Sequence, residues 1–155
     1  MTIEDDIAFL EKVPSFAVLG RDALRILAIG AETRSLLSGD VLFTVGEAAD
    51  SGYVVQEGSL NLRSDSTNTG AADVTVARGA LLGELALLTE TTRPVTATAA
   101  EPARVIRITR SLFLKMLEGF PDAARRLRDQ IATRTNQAAR DIMAVRSALD
   151  PGSRG

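Results

Sequence analysis

From Thr33 the chain breaks into short β-type segments, each closed by turn residues: Ser38-Gly39-Asp40, Gly46-Glu47, Asp50-Ser51-Gly52, Glu57-Gly58 and Arg78-Gly79. Segments this short and this regularly punctuated fold as a sandwich or a barrel. Leu60 and Leu62 alternate with Ser59, Asn61 and Arg63, and Val74 and Val76 alternate with Asp73 and Thr75, so both stretches are expected as half-buried strands. Ser64 to Gly70 lies between them, rich in Ser, Thr, Asn and Gly, and reads as an exposed hairpin connection.

Helical spacing flanks this region. Ile3, Ile7 and Leu10 form one series and Leu24, Leu27, Ala28 and Ala31 a second, with a turn expected at Val13 to Ser15. After Arg110, Leu112, Phe113, Met116 and Leu117 share a face; Pro121 then suits the first turn of a last helix, where its missing N–H is not needed. Leu127, Ile131, Ala138, Ile142, Val145 and Leu149 make a stripe that serves either as half of a seam between two copies or as a face packed on the chain's own barrel.

Composition excludes much chemistry. The 155 residues include no histidine and no cysteine, so a histidine-based triad, a cysteine nucleophile, a zinc site of ordinary ligands and an imidazole metal centre are all out of reach. Only Lys12 and Lys115 offer an amine, and an enzyme is not expected. Eighteen basic residues against twenty acidic give a net charge of -2, which provides no field for nucleic acid. The opening MTIEDDIAFL is acidic where a signal peptide is basic, and no apolar run approaches the roughly 18 residues of a membrane span, so a cytoplasmic protein is expected.

The stretch from Leu82 to Val95 carries the chemistry. Gly83 permits close backbone approach, Glu84 follows, Leu85-Ala86-Leu87-Leu88 makes a short apolar turn, and Arg93 arrives nine residues after the carboxylate. Backbone N–H groups at the start of the turn and the guanidinium both favour an anion, so the stretch reads as a phosphate cradle or, taken alone, equally as an ordinary amphipathic helix start with Arg93 on the surface before a turn-forming proline. Glu84 would repel a phosphate, so its useful place is on a neutral hydroxyl such as a ribose 2′-OH. Leu85, Leu87 and Leu88 are expected to seat the turn against the barrel.

In spacing and order the segment resembles the phosphate-binding cassette of the cyclic nucleotide-binding domain family, F-G-E-[LM]-A-L followed by P-R-x-A-T-V. Upstream, Leu37, Gly39, Asp40, Leu42, Phe43, Gly46, Glu47, Asp50, Tyr53, Val55, Gly58 and Leu60 are similar to that family's barrel signature. The resemblance implies a mainly β fold, a double-stranded β-helix or jelly-roll barrel with N-terminal helices and a C-terminal helical subdomain. One domain over 1–155 follows, with N-terminal helices at 1–31, barrel at 33–109, cassette at 82–95 and C-terminal helices at 110–149.

It further implies a sensor domain for cAMP or cGMP with no metal. Arg93 would pair with the cyclic phosphate, Glu84 would take the ribose, and Leu82, Gly83, Leu85, Ala86, Pro94 and Val95 would line the site. Pro94 stands where a threonine would favour cGMP, which points to cAMP. It also lacks an N–H, and one lost contact to a charged acceptor weakens binding by about one to two decades. The bacterial activators' base-reading Thr-Ser pair is replaced by Ala138-Ala139, leaving Arg134, Asn136, Gln137 or Arg140 as base caps or as plain surface. The other reading is a degenerate pocket on an interaction module, pairing with a second copy or an effector protein through the last helix. No helix-turn-helix, DNA binding or membrane contact is expected.

Overall fold

Among the described residues, two four-stranded antiparallel sheets and a two-stranded ribbon form the body of the fold, with helices packed over one sheet. The structure is a computed structural model and describes residues 2–64 and 73–133. Helix α1 (Ile3–Glu11) starts in a capping box, the Thr2 Oγ1 accepting from the Asp5 amide and the Asp5 carboxylate from the Thr2 amide, each at 3.2 Å. Helix α2 (Arg21–Gly30) follows, joined to α1 by ion pairs of Arg21 with Glu4 and Glu11 and of Arg25 with Glu4. The connection occupies all of 12–20, longer than the turn expected at Val13 to Ser15, because successive tight turns bury Val13, Phe16 and Leu19.

The strands are β1 (Glu32–Leu36), β2 (Val41–Phe43), β3 (Ala48–Ala49), β4 (Ser51–Glu57), β5 (Ser59–Arg63), β6 (Val74–Ala77), β7 (Leu81–Leu82), β8 (Thr91–Thr92), β9 (Thr96–Ala99) and β10 (Ala103–Thr109). One sheet runs β1-β10-β4-β7, the second β2-β9-β5-β6, and β3 pairs with β8 as the ribbon. This is the sandwich or barrel expected from the punctuation, in the jelly-roll arrangement that the family resemblance implies. Leu37 and Thr44 each donate a backbone N–H to the carboxylate three residues on, Asp40 at 2.8 Å and Glu47 at 3.0 Å, which fixes two of the turns.

Asp50-Ser51-Gly52 departs from expectation. Only Asp50 interrupts the strands, and Ser51 and Gly52 open β4, paired with Thr109 and Ile108 of β10. Strand β4 is covered on both faces: Val54 faces the helices, while Tyr53 and Val55 face the opposite sheet. Val74 also departs, at 54% exposed, since β6 is an edge strand and only Val76 reaches the inter-sheet core. Residues 65–72 of the connection between β5 and β6 lie outside the described residues.

Helix α3 (Arg110–Gly119) is capped by the Thr109 hydroxyl, which accepts from the Leu112 amide at 3.1 Å, and buries Phe113 against Phe16 with ring centroids 6.1 Å apart. A further helix begins at Pro121 as expected and is described to residue 133; the Phe120 carbonyl accepts its first bond, from Ala124. Leu127 and Ile131, the first two positions of its stripe, pack on the chain's own core. Ala138 to Leu149 and the candidate base caps lie outside the described residues. Among the described residues no helix is long and apolar enough to cross a membrane.

Candidate ligand-binding site

Pairing of β7 with β4, Leu82 opposite Tyr53, delivers Gly83 onto the start of β4. There the backbones nearly touch. A Cβ on Gly83 would lie 2.6 Å from an Arg93 terminal nitrogen and 3.1 Å from the Ser51 carbonyl oxygen, and φ is +79°, so only glycine fits without strain. Residues Leu85–Leu87 then form one 3₁₀ turn, with Ala86 and Leu87 buried and Leu88 against the helical core.

Leu85 does not seat the turn as expected. It is 60% exposed and lines the cavity, because a three-residue turn has one outward position and Leu85 occupies it. The Ala86 amide donates to the Gly83 carbonyl at 3.0 Å and is thereby engaged within the turn.

Arg93 is fixed by both backbone and side chain. Its amide donates to the Glu47 carbonyl and its carbonyl accepts from the Gly46 amide, each at 2.8 Å, continuing the ladder of β3 and β8. One terminal nitrogen donates to the Ser51 carbonyl oxygen at 2.8 Å and the other to Ser51 Oγ at 3.3 Å. The guanidinium carbon stands 4.5 Å over the Phe43 ring and 5.4 Å from that of Tyr53.

The side chain is only 4% exposed, yet no ion pair among the described residues includes it. Burial pushes the Arg93 pKa down, against the pull of Tyr53, Asp50 and Glu47. Asp50 belongs to Arg107, at 3.3 Å. Burial presses its carboxyl upward, but the Ser51 hydroxyl and Arg107 outweigh that and hold it below the usual carboxylate range.

Beside the guanidinium a cavity of about 270 Å³ is lined by Ala49, Gly83, Glu84, Leu85, Ala86, Thr91, Thr92, Arg93 and Pro94. Six of the eight expected site residues therefore meet around one space. Leu82 and Val95 do not reach it: Leu82 is buried in β7 and Val95 packs into the inter-sheet core. Glu84 lines the cavity but its Oε2 accepts a hydrogen bond from Ser15 Oγ, on the side of the helices.

Sequence reasoning did not find Ala49, Thr91 and Thr92 as wall, Ser51 as the arginine's holder, or Arg110. Strand alternation carried no signal for them, although an arginine directly after a strand and at a helix start was a position to question. One Arg110 terminal nitrogen donates to the carbonyls of Ala49 at 3.1 Å, Ala86 at 3.2 Å and Thr89 at 2.9 Å. It thereby ties the ribbon and the 3₁₀ turn to the start of α3.

Comparison with known proteins agrees with this fold. The sequence model described as cyclic nucleotide-binding domain matches residues 33–120. A solved cyclic nucleotide-binding-like protein from Brucella abortus is 40% identical, with 74% of this chain and 98% of that one covered and a TM-score of 0.64. The N-terminal domain of a transcriptional regulator from Streptomyces coelicolor is 26% identical, with coverages of 86% and 94% and a TM-score of 0.77. The cAMP-dependent protein kinase regulatory subunit of Yarrowia lipolytica is 31% identical over 70% of this chain and 28% of its own length. Fungal proteins named as lysophospholipases also match, and the chain spans 8% or less of their length.

Proposed function

The chain belongs to the cyclic nucleotide-binding domain family, and we propose that it is a sensor for a cyclic nucleotide, cAMP ahead of cGMP, with Arg93 on the phosphate and Glu84 on the ribose. The observation that carries this reading is the Arg93 guanidinium, buried and without a carboxylate partner among the described residues. A buried charge left uncompensated costs several kcal/mol, and an anionic ligand supplies the missing counter-charge. Of the five N–H groups of a guanidinium, two are engaged by Ser51, and the aromatic stack fixes the plane of the rest before any ligand arrives.

The cavity, at about 270 Å³, falls just under the roughly 300 Å³ at which small-molecule sites begin. It suits a sugar phosphate, with the base extending toward the last helix. The proposal takes 1–155 as one domain, in which the described N-terminal helices and the C-terminal helices, described to residue 133, flank the barrel and its cassette 82–95. Signalling runs through Arg110, which holds both the 3₁₀ turn and the start of α3. This is regulation and not catalysis. A change in surface follows only if the ligand binds one arrangement better than the other.

Calorimetric titration of the purified chain with cAMP and cGMP tests the reading. Saturable heat with cAMP, lost in Arg93→Ala, is expected; flat traces with both ligands at millimolar concentration overturn it. A second reading is favoured by Pro94, which lines the cavity without an N–H to offer: an interaction module whose last helix pairs two copies. Sedimentation separates the two, since a dimer indifferent to nucleotide supports the second.

A further inference from the structure

Ser15 and Glu84 lie 69 residues apart and share a hydrogen bond in which the serine hydroxyl donates to the carboxylate. Ser15 is itself 6% exposed. It belongs to the 12–20 connection, and that connection is clasped from the other side by the last described helix. Gln130 Nε2 donates to the Pro14 carbonyl at 3.1 Å, and Arg126 donates to the carbonyls of Val18 at 2.6 Å and Leu19 at 3.1 Å. Glu84 is the shared wall of two spaces: the cavity beside Arg93, and a small crevice of about 10 Å³ whose lining includes Ser15, Phe16, Phe113 and Leu127. Ser15 lines only the crevice.

We infer that Ser15 is an internal competitor for the sugar: its hydroxyl holds the Glu84 carboxylate in the manner a ribose 2′-hydroxyl would, and ligand binding exchanges one hydroxyl donor for the other. This rests on the reading above, in which Glu84 serves the ribose. Both donors are neutral hydroxyls on the same charged acceptor, so the bond to Glu84 is itself nearly balanced, and the cost of freeing the Ser15 hydroxyl lowers sugar affinity without abolishing it. The exchange also leaves a buried hydroxyl without its acceptor, in a connection fastened to the last helix by Gln130 and Arg126. Sugar recognition thereby reaches the helices by a path separate from Arg110.

The test compares cAMP with its 2′-deoxy analogue, by calorimetry, on the full chain as wild type, Ser15→Ala and Ser15→Thr. In wild type the analogue leaves the Ser15 bond intact, so the ratio of the two dissociation constants is compressed. In Ser15→Ala, cAMP is expected to bind about 3- to 10-fold tighter while the analogue is unchanged, and the ratio widens accordingly. Ser15→Thr keeps the hydroxyl and returns the ratio to that of wild type. A ratio unchanged or narrowed in Ser15→Ala overturns the inference, since Ser15 would then be indifferent to Glu84 or would hold it in place for the ribose. Wild type that binds neither ligand overturns the sensor reading, and this inference with it. Wild type that binds both, with Glu84→Gln leaving their ratio unaltered, removes Glu84 from the ribose.

Discussion

Arg93 is held by Ser51 through two hydrogen bonds, to the backbone carbonyl at 2.8 Å and to the hydroxyl at 3.3 Å, and neither partner carries charge. A residue on one strand thus presents a cation from another element without neutralising it. In the free protein this arrangement costs stability, and the anionic ligand proposed above would return it.

Replacing the cation by a side chain of similar length therefore separates folding from binding. Arg93→Met is expected to abolish cyclic nucleotide binding while leaving the thermal midpoint of the free protein unchanged or raised, because the uncompensated buried charge is gone. Thermal unfolding with and without cAMP measures both. A large drop in the midpoint of the free protein would show that Arg93 is chiefly structural.

Gly83→Ala strikes the same guanidinium from the other side. The new Cβ meets an Arg93 nitrogen at 2.6 Å in a backbone with φ of +79°. A loss of about 1–3 kcal/mol in unfolding free energy is expected, together with at least tenfold weaker nucleotide binding. Denaturant titration and calorimetry read the two effects.

Removal of the Arg110 side chain leaves three carbonyls, those of Ala49, Ala86 and Thr89, without their shared donor. Arg110→Ala is expected to cost about 1–3 kcal/mol of stability. Arg110→Lys recovers only part of it, since an ammonium lacks the planar fork. Equal stability in all three proteins would mean that water replaces the donor at no cost.

Binding is expected to be flat between about pH 6 and 8. The chain has no histidine. Burial moves Arg93 downward, but an arginine keeps its proton throughout this range, and a cyclic phosphate stays a monoanion. A sloping affinity across that window would place a further titrating group at the site.

Asp50 predicts a dependence at acid pH. Its folded pKa is depressed, so its contribution is present above the unfolded value and is lost as pH falls through the folded one. Asp50→Asn is expected to unfold more readily at neutral pH, by a small margin because the carboxylate is exposed, with the gap closing below about pH 4. Paired denaturant titrations test it, and a gap that persists in acid would assign the effect to packing.

The barrel was legible because its signals are local: turn residues three apart hydrogen-bond each other, and alternation records which face is covered. The Gly83-to-Arg93 spacing was legible for the same reason. What escaped reading depends on partners far along the chain. Ser51 meets Arg93 across 42 residues and Ser15 meets Glu84 across 69. No periodicity within a short window carries such pairs. Leu85 was misjudged because three residues of 3₁₀ turn are too few to define a face, and Val74 because alternation cannot tell an edge strand from a central one.

The connection at 12–20 has a consequence for how the molecule is assembled. Its Pro14 carbonyl waits for Gln130, 116 residues later, and Val18 and Leu19 wait for Arg126. During synthesis the connection emerges long before Arg126 and Gln130, so its docking is completed only once the last described helix exists. Fraying at 121–133 and undocking of the 12–20 connection are then one cooperative opening, and hydrogen exchange is expected to report the same rate from both segments.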